Sequence, residues 1–101
     1  MPKVTVESQS TYSAAETFKK IKHMLETDHD LQKLDTGYKC NFNEGGMTGT
    51  AKGSKFEANM KVVSAGTGAA VTIEVDLPFM LTPIKGVVQS TLQRKLESTL
   101  A

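Results

Sequence analysis

The chain has no tryptophan, a single cysteine, three prolines and an aromatic content of only 6%. The lone Cys40 excludes an intrachain disulfide and fits a reducing compartment. The scarcity of aromatic rings argues against a single-strand nucleic-acid platform, which stacks bases beside its positive charge. Neither sign of charge dominates, since 12 basic and 11 acidic side chains leave a net charge of +1. The first 50 residues carry six basic and seven acidic groups and the remainder six and four, so no basic arm suggests nucleic acid. Long apolar runs are missing too. The longest uncharged stretch, Val62 to Ile73, has twelve residues, whereas a membrane-spanning helix needs about 20 apolar ones. The start, Met-Pro-Lys-Val-Thr-Val-Glu, lacks the apolar centre of a secretory signal. These absences predict a soluble cytoplasmic protein with no transmembrane segment.

What is present is ordinary globular usage: 101 residues, 39% apolar and 23% charged. That predicts one domain over residues 1–101 with one modest core. Lys3 to Glu7 alternates with Val4 and Val6 on one side, the pattern of a half-buried strand. Ser13-Ala14-Ala15-Glu16 is a capping box, and Phe18, Ile21 and Leu25 follow at helical spacing, so a helix is predicted over 13–27. Asp28-His29-Asp30 breaks it, and Leu31 and Leu34 are expected to return to the core. From Tyr38 the period changes to two. Tyr38, Cys40 and Phe42, then Met47, Gly49 and Ala51, then Phe56, Ala58, Met60 and Val62, then Val71, Ile73, Val75 and Leu77 alternate with polar residues. Glycine turns at 45–46, 53 and 66–68 join these runs into an antiparallel meander with one apolar face.

Thr82 and Pro83 suit the cap and first position of a second helix. Leu81, Ile84, Val88, Leu92, Leu96 and Leu100 form its stripe, flanked by Val87. At about 27 Å it is long enough to lie across a whole sheet face. The order β-α-β-β-β-β-α predicts an α+β two-layer sandwich. Its five-stranded antiparallel sheet, in order 2-3-4-5-1, packs against the long C-terminal helix, in the manner of a reduced helix-grip fold. Turns centred near residues 44, 53 and 66 would align Cys40, Gly49 and Ala58 in one row, with Phe42, Met47 and Met60 on one side and Tyr38, Phe56 and Leu77 on the other. Such a lane of small residues is open to two readings. One is close packing of the helix backbone. The other is the floor of an apolar pocket, lined by Tyr38, Cys40, Gly49, Ala58 and Val88.

Few residues invite chemistry. His23 falls between lysines on the outer side of the first helix, and His29 lies in a polar break; neither has a partner at metal-ligand spacing, so no metal or cofactor is expected. Cys40 and Tyr38 are the only polar groups expected to face inward, and no base is placed to activate the thiol. Glu57, Glu74 and Asp76 share the outer sheet face with Lys39, Lys55 and Lys61, which reads as cross-strand charge pairing. Neither glycine turn leads into a helix N-terminus, so neither is a phosphate cradle. Lys19, Lys20 and Lys22 form a small basic cluster. The sequence therefore predicts no enzyme.

The least ordinary segment is Leu77-Pro78-Phe79-Met80-Leu81-Thr82-Pro83-Ile84, an apolar connection where a polar loop is the rule. It reads either as a corner of the core or as an exposed lip, Phe79, Met80 and Leu81, that meets an apolar surface, a partner or a second copy. Val-Asp-Leu-Pro-Phe-Met-Leu-Thr-Pro-Ile-Lys-Gly at 75–86, with Leu92-Gln93-Arg94-Lys95-Leu96-Glu97 beyond it, resembles the polyhydroxyalkanoic acid system proteins. The match centres on Leu81, Pro83, Ile84, Lys85 and Gly86, and the rest of the chain is compatible with that family. The resemblance implies a bacterial, granule-associated setting and a non-enzymatic accessory role in polyhydroxyalkanoate storage, with the polyester granule surface or a granule protein as partner. It implies no catalytic residue. The alternative is a small hydrophobic-ligand carrier with its pocket between sheet and C-terminal helix. A homo-oligomer through a sheet edge or the apolar loop is also compatible with the sequence, although Lys39 opposes edge pairing.

Overall fold

The computed structural model describes residues 3–28, 32–33, 37–54, 56–77 and 79–100. Strand β1 covers Lys3–Ser10 and helix α1 covers Ala14–Thr27. Strands β2 (Lys39–Asn43), β3 (Thr48–Lys52), β4 (Glu57–Ala65) and β5 (Gly68–Asp76) follow. A 3₁₀ segment, Phe79–Ile84, leads into helix α2, Lys85–Leu100. All strand pairs are antiparallel, in the order β1-β5-β4-β3-β2. This is the predicted sheet read from its other edge, and with its two helices it is a helix-grip-like α+β fold. Leu31 and Leu34 lie outside the described residues, as do His29, Lys55 and Pro78.

Ser13 caps α1 as its motif requires, with the Glu16 amide donating to the Ser13 hydroxyl at 3.2 Å. Thr17, Phe18, Ile21, Met24 and Leu25 form the buried face of this helix. The apolar alternation also lands on the predicted side of the sheet: Val4, Val6, Ala58, Met60, Val62, Val71, Ile73 and Val75 are all buried. On the opposite face Lys3 reaches Glu74 at 3.6 Å and Asp76 at 4.0 Å. The side chains of Lys3 and Glu74 are exposed and that of Asp76 is half-buried, and each such pair at the surface is worth about 1 kcal/mol or less.

Three expectations are corrected. The register places Cys40 opposite Ala51, and Ala51 opposite Ala58. Gly49 falls instead between Phe42 and Met60. There is therefore no Cys40–Gly49–Ala58 row. The first two hairpins are slipped by two residues, which preserves the face and changes the neighbours. The slip at β2–β3 arises because residues 44–47 all belong to the turn, where Met47 takes a left-handed φ of 53° rather than opening β3. Second, Thr82 and Pro83 do not begin α2: they lie in the 3₁₀ segment, and the α-helix starts at Lys85.

The third correction concerns what covers the sheet. Helix α1 packs over β4, β5 and β2, whereas α2 lies along β1 and beside α1. The side-chain amides of Gln89 and Gln93 donate to the backbone carbonyls of Thr5 (3.4 Å) and Glu7 (2.9 Å). Four helical residues rise about 6 Å and two strand residues about 6.7 Å. The two glutamines thus match successive outward carbonyls of an edge strand. Leu92, Leu96 and Leu100 are buried, but Ile84 and Val87 are 42% and 66% exposed. The terminal helix closes one border of the sheet and leaves Ile84 and Val87 at its head in solvent.

Candidate functional site

Among the described residues, those offered for a pocket are not gathered at one place. Tyr38 and Cys40 sit at the β2 side, where Tyr38 Oη donates to the Leu25 carbonyl at 2.6 Å and Cys40 Sγ approaches the same oxygen at 3.9 Å. That oxygen belongs to the last turn of α1, whose final carbonyls have no partner within the helix. Both side chains therefore complete the end of α1. Burial, then the nearby Glu26, pushes the Cys40 thiol up from its ordinary value. Burial and the Cys40, Asp28 and Glu26 charges push the Tyr38 hydroxyl up, against a smaller pull from Lys95. A thiol shifted that way holds less thiolate, the opposite of an activated nucleophile.

Gly49 lies beneath the Phe42 ring, and a Cβ built there would come within 2.5 Å of Phe42 Cδ1. The space that the glycine leaves is occupied by that ring, which also stands edge-on to Phe18 at 6.1 Å. Ala58 is buried between Ala51 and Val75. Val88 is half-buried on α2, beside β1. Strands β1 and β2 are opposite borders of the sheet, about 19 Å apart across four strand spacings. Among the described residues no three His, Cys, Asp or Glu side chains converge as a metal site would require.

The apolar connection is different. Its backbone forms the 3₁₀ segment Phe79–Ile84, which runs directly into α2. The side chains of Phe79, Met80 and Leu81 lie outside the described residues. The next apolar residues, Ile84 and Val87, are exposed, and Val88 is half-buried beside them. Sequence periodicity places Ile84 and Val88 on the core stripe because it cannot tell where a helix overruns the body that it packs on. Among the described residues, no helix is long and apolar enough to cross a membrane. A surface patch of this kind can adhere to an apolar surface without inserting through it.

No family model matches the sequence, and no curated protein matches it. Solved structures do match in shape. The chain is similar to TTHA0849 from Thermus thermophilus, with a TM-score of 0.61 and 12% identity over 98% of this chain and 92% of that one. It is similar to the Aha1 dimer from Colwellia psychrerythraea, with a TM-score of 0.71 and 11% identity over 99% and 94%. It is also similar to Ara h 8.0201, with a TM-score of 0.60 and 14% identity over 97% and 94%. At such identities the likeness is one of fold, and it transfers no activity.

Proposed function

We propose that this protein is a non-enzymatic accessory factor of polyhydroxyalkanoate storage that adheres to the polyester surface through the apolar entry to α2. The exposure of Ile84, in the segment that carries the family resemblance, and of Val87 just beyond it is the observation behind this reading. Covering both side chains with an apolar phase is worth about 2 kcal/mol or more, about a thirtyfold change in partitioning. The carrier alternative has less support, because Tyr38 and Cys40 on one border and Val88 near the other do not enclose a common space.

Co-sedimentation with purified polyester granules tests the proposal. Ile84→Asp/Val87→Asp should lower the partition constant about thirtyfold while leaving the melting temperature nearly unchanged, because neither residue is buried. A further pair, Phe79→Asp/Met80→Asp, extends the test along the same segment. Equal partitioning of wild type and the Ile84/Val87 variant would overturn the reading.

A further inference from the structure

A second feature lies between the two helices. Helix α1 presents Lys20, His23, Met24 and Thr27, and helix α2 presents Thr91, Arg94, Lys95 and Ser98, each set at the i, i+3, i+4, i+7 spacing of one helical face. The faces border an open groove of about 630 Å³, to which Asp28 and Thr99 also contribute. The basic cluster of α1 has no evident partner in the sequence; the fold brings it to basic residues near the far end of the chain.

The charge balance inside the groove is one-sided. Among the described residues its only carboxylate is Asp28, whose side chain is 2% exposed and ion-paired with Lys95. With that pair neutral at the floor, Lys20 and Arg94 remain to set the potential. Lys20 Nζ is held 4.6 Å above the Tyr12 ring, and Arg94 makes no ion pair among the described residues. Hydroxyls of Thr91, Ser98 and Thr99 supply neutral donors along the α2 wall, while the Thr27 hydroxyl donates to the His23 carbonyl at 2.8 Å. A planar guanidinium, an ammonium and hydroxyl donors around an open space suit a tetrahedral oxyanion, which accepts several hydrogen bonds at once. The groove also has an apolar approach: Val87 stands seven residues before Arg94 on the same side of α2, and Val88 stands one turn before Thr91.

We propose that the groove between α1 and α2 binds a phosphate ester, with Arg94, Lys20 and His23 on the phosphate and the organic part directed toward Met24 and the apolar start of α2. A small phosphorylated metabolite and a phospholipid headgroup share that chemistry. The proposal does not rest on the polyester reading: Val87 borders both surfaces, but inorganic phosphate has no organic part to meet it, and phosphate binding is lost through Arg94 and Lys20 whether or not the chain adheres to granules.

The test is a titration of the ¹⁵N-labelled 101-residue chain with inorganic phosphate and with glycerol 3-phosphate. A parallel measurement follows retention on phosphatidylcholine vesicles with and without phosphatidic acid. Binding should shift the amides of residues 20–27 and 91–99 saturably and weaken as ionic strength rises. Arg94→Glu should weaken it about tenfold or more, with an unchanged melt because Arg94 is exposed. Saturation by the soluble phosphates alone identifies a small ligand, and retention on phosphatidic acid vesicles identifies a headgroup; each supports the site. Failure of both probes would overturn the proposal, as would binding undiminished by Arg94→Glu.

Discussion

Gly49 illustrates how one residue fixes its neighbourhood. It sits between Phe42 and Met60 on adjacent strands, and the Phe42 ring lies over its backbone. A methyl group there must displace the ring, since Cδ1 and Cε1 lie 2.5 Å and 2.8 Å from the position that a Cβ would take. Gly49→Ala is therefore expected to cost about 1–3 kcal/mol in urea unfolding. The cost should shrink in the Phe42→Ala background, because the pair shares one space. An unchanged cost in that background would mean that the ring does not rest on the glycine. Titration at Cys40 and Tyr38 gives a second residue-level prediction. Their ordinary values are 9.0 and 10.0, and the fold raises both. Below about pH 9 both states keep the Cys40 proton, so its contribution is complete. As pH rises the unfolded chain ionises first, and stability falls through the raised folded values. Urea midpoints followed from about pH 8 to about pH 11 should decline less steeply in Cys40→Ala/Tyr38→Phe than in wild type. The sequence showed that these side chains face inward; it did not show that they serve one carbonyl of α1, because that contact joins elements that no local pattern links.

Among the elements, the two sheet borders are treated differently. Strand β1 offers outward carbonyls at Thr5 and Glu7, and α2 meets them with Gln89 and Gln93. Unprotected strand edges recruit other chains, and covering an edge with a helix is a common defence. Gln89→Leu/Gln93→Leu should lower stability by about 1–2 kcal/mol and increase self-association in sedimentation velocity. If the variant self-associates no more than wild type at the same concentration, the glutamines contribute no edge protection. The existence and order of the strands were legible in the sequence, because alternation and glycine turns are local signals. Two hairpin registers were not: a slip of two residues keeps every apolar group on the correct face, so hydrophobic pattern alone cannot choose between them. At β2–β3 what decides is Met47 in its left-handed turn position and the fit of Phe42 over Gly49; at β3–β4 the turn is closed by the Gly53 amide donating to the Phe56 carbonyl at 2.9 Å.

For the whole molecule, the arrangement of layers assigns unequal weight to residues that look equivalent in sequence. Ile84, Val88, Leu92 and Leu96 recur at helical spacing, and that spacing alone implies one continuous core stripe. In the folded chain α1 occupies the centre of the sheet, over β4 and β5, and α2 is displaced to the β1 border. Helix α2 is longer than the surface against which it packs. Its C-terminal half closes the core through Leu92, Leu96 and Leu100, and its start projects apolar groups into solvent. Leu96 is fully buried, so Leu96→Ala should cost about 2–5 kcal/mol by lost transfer energy and cavity formation. Val87→Ala should fall within about 0.5 kcal/mol of wild type. Chemical denaturation of both variants measures this division directly. If Val87→Ala destabilised the monomer as Leu96→Ala does, Val87 would be a core residue and the apolar entry to α2 would not be free to meet a polyester surface. If only Leu96 matters to folding, the apolar groups at the head of the helix contribute no stability to the fold and stay free to meet another surface.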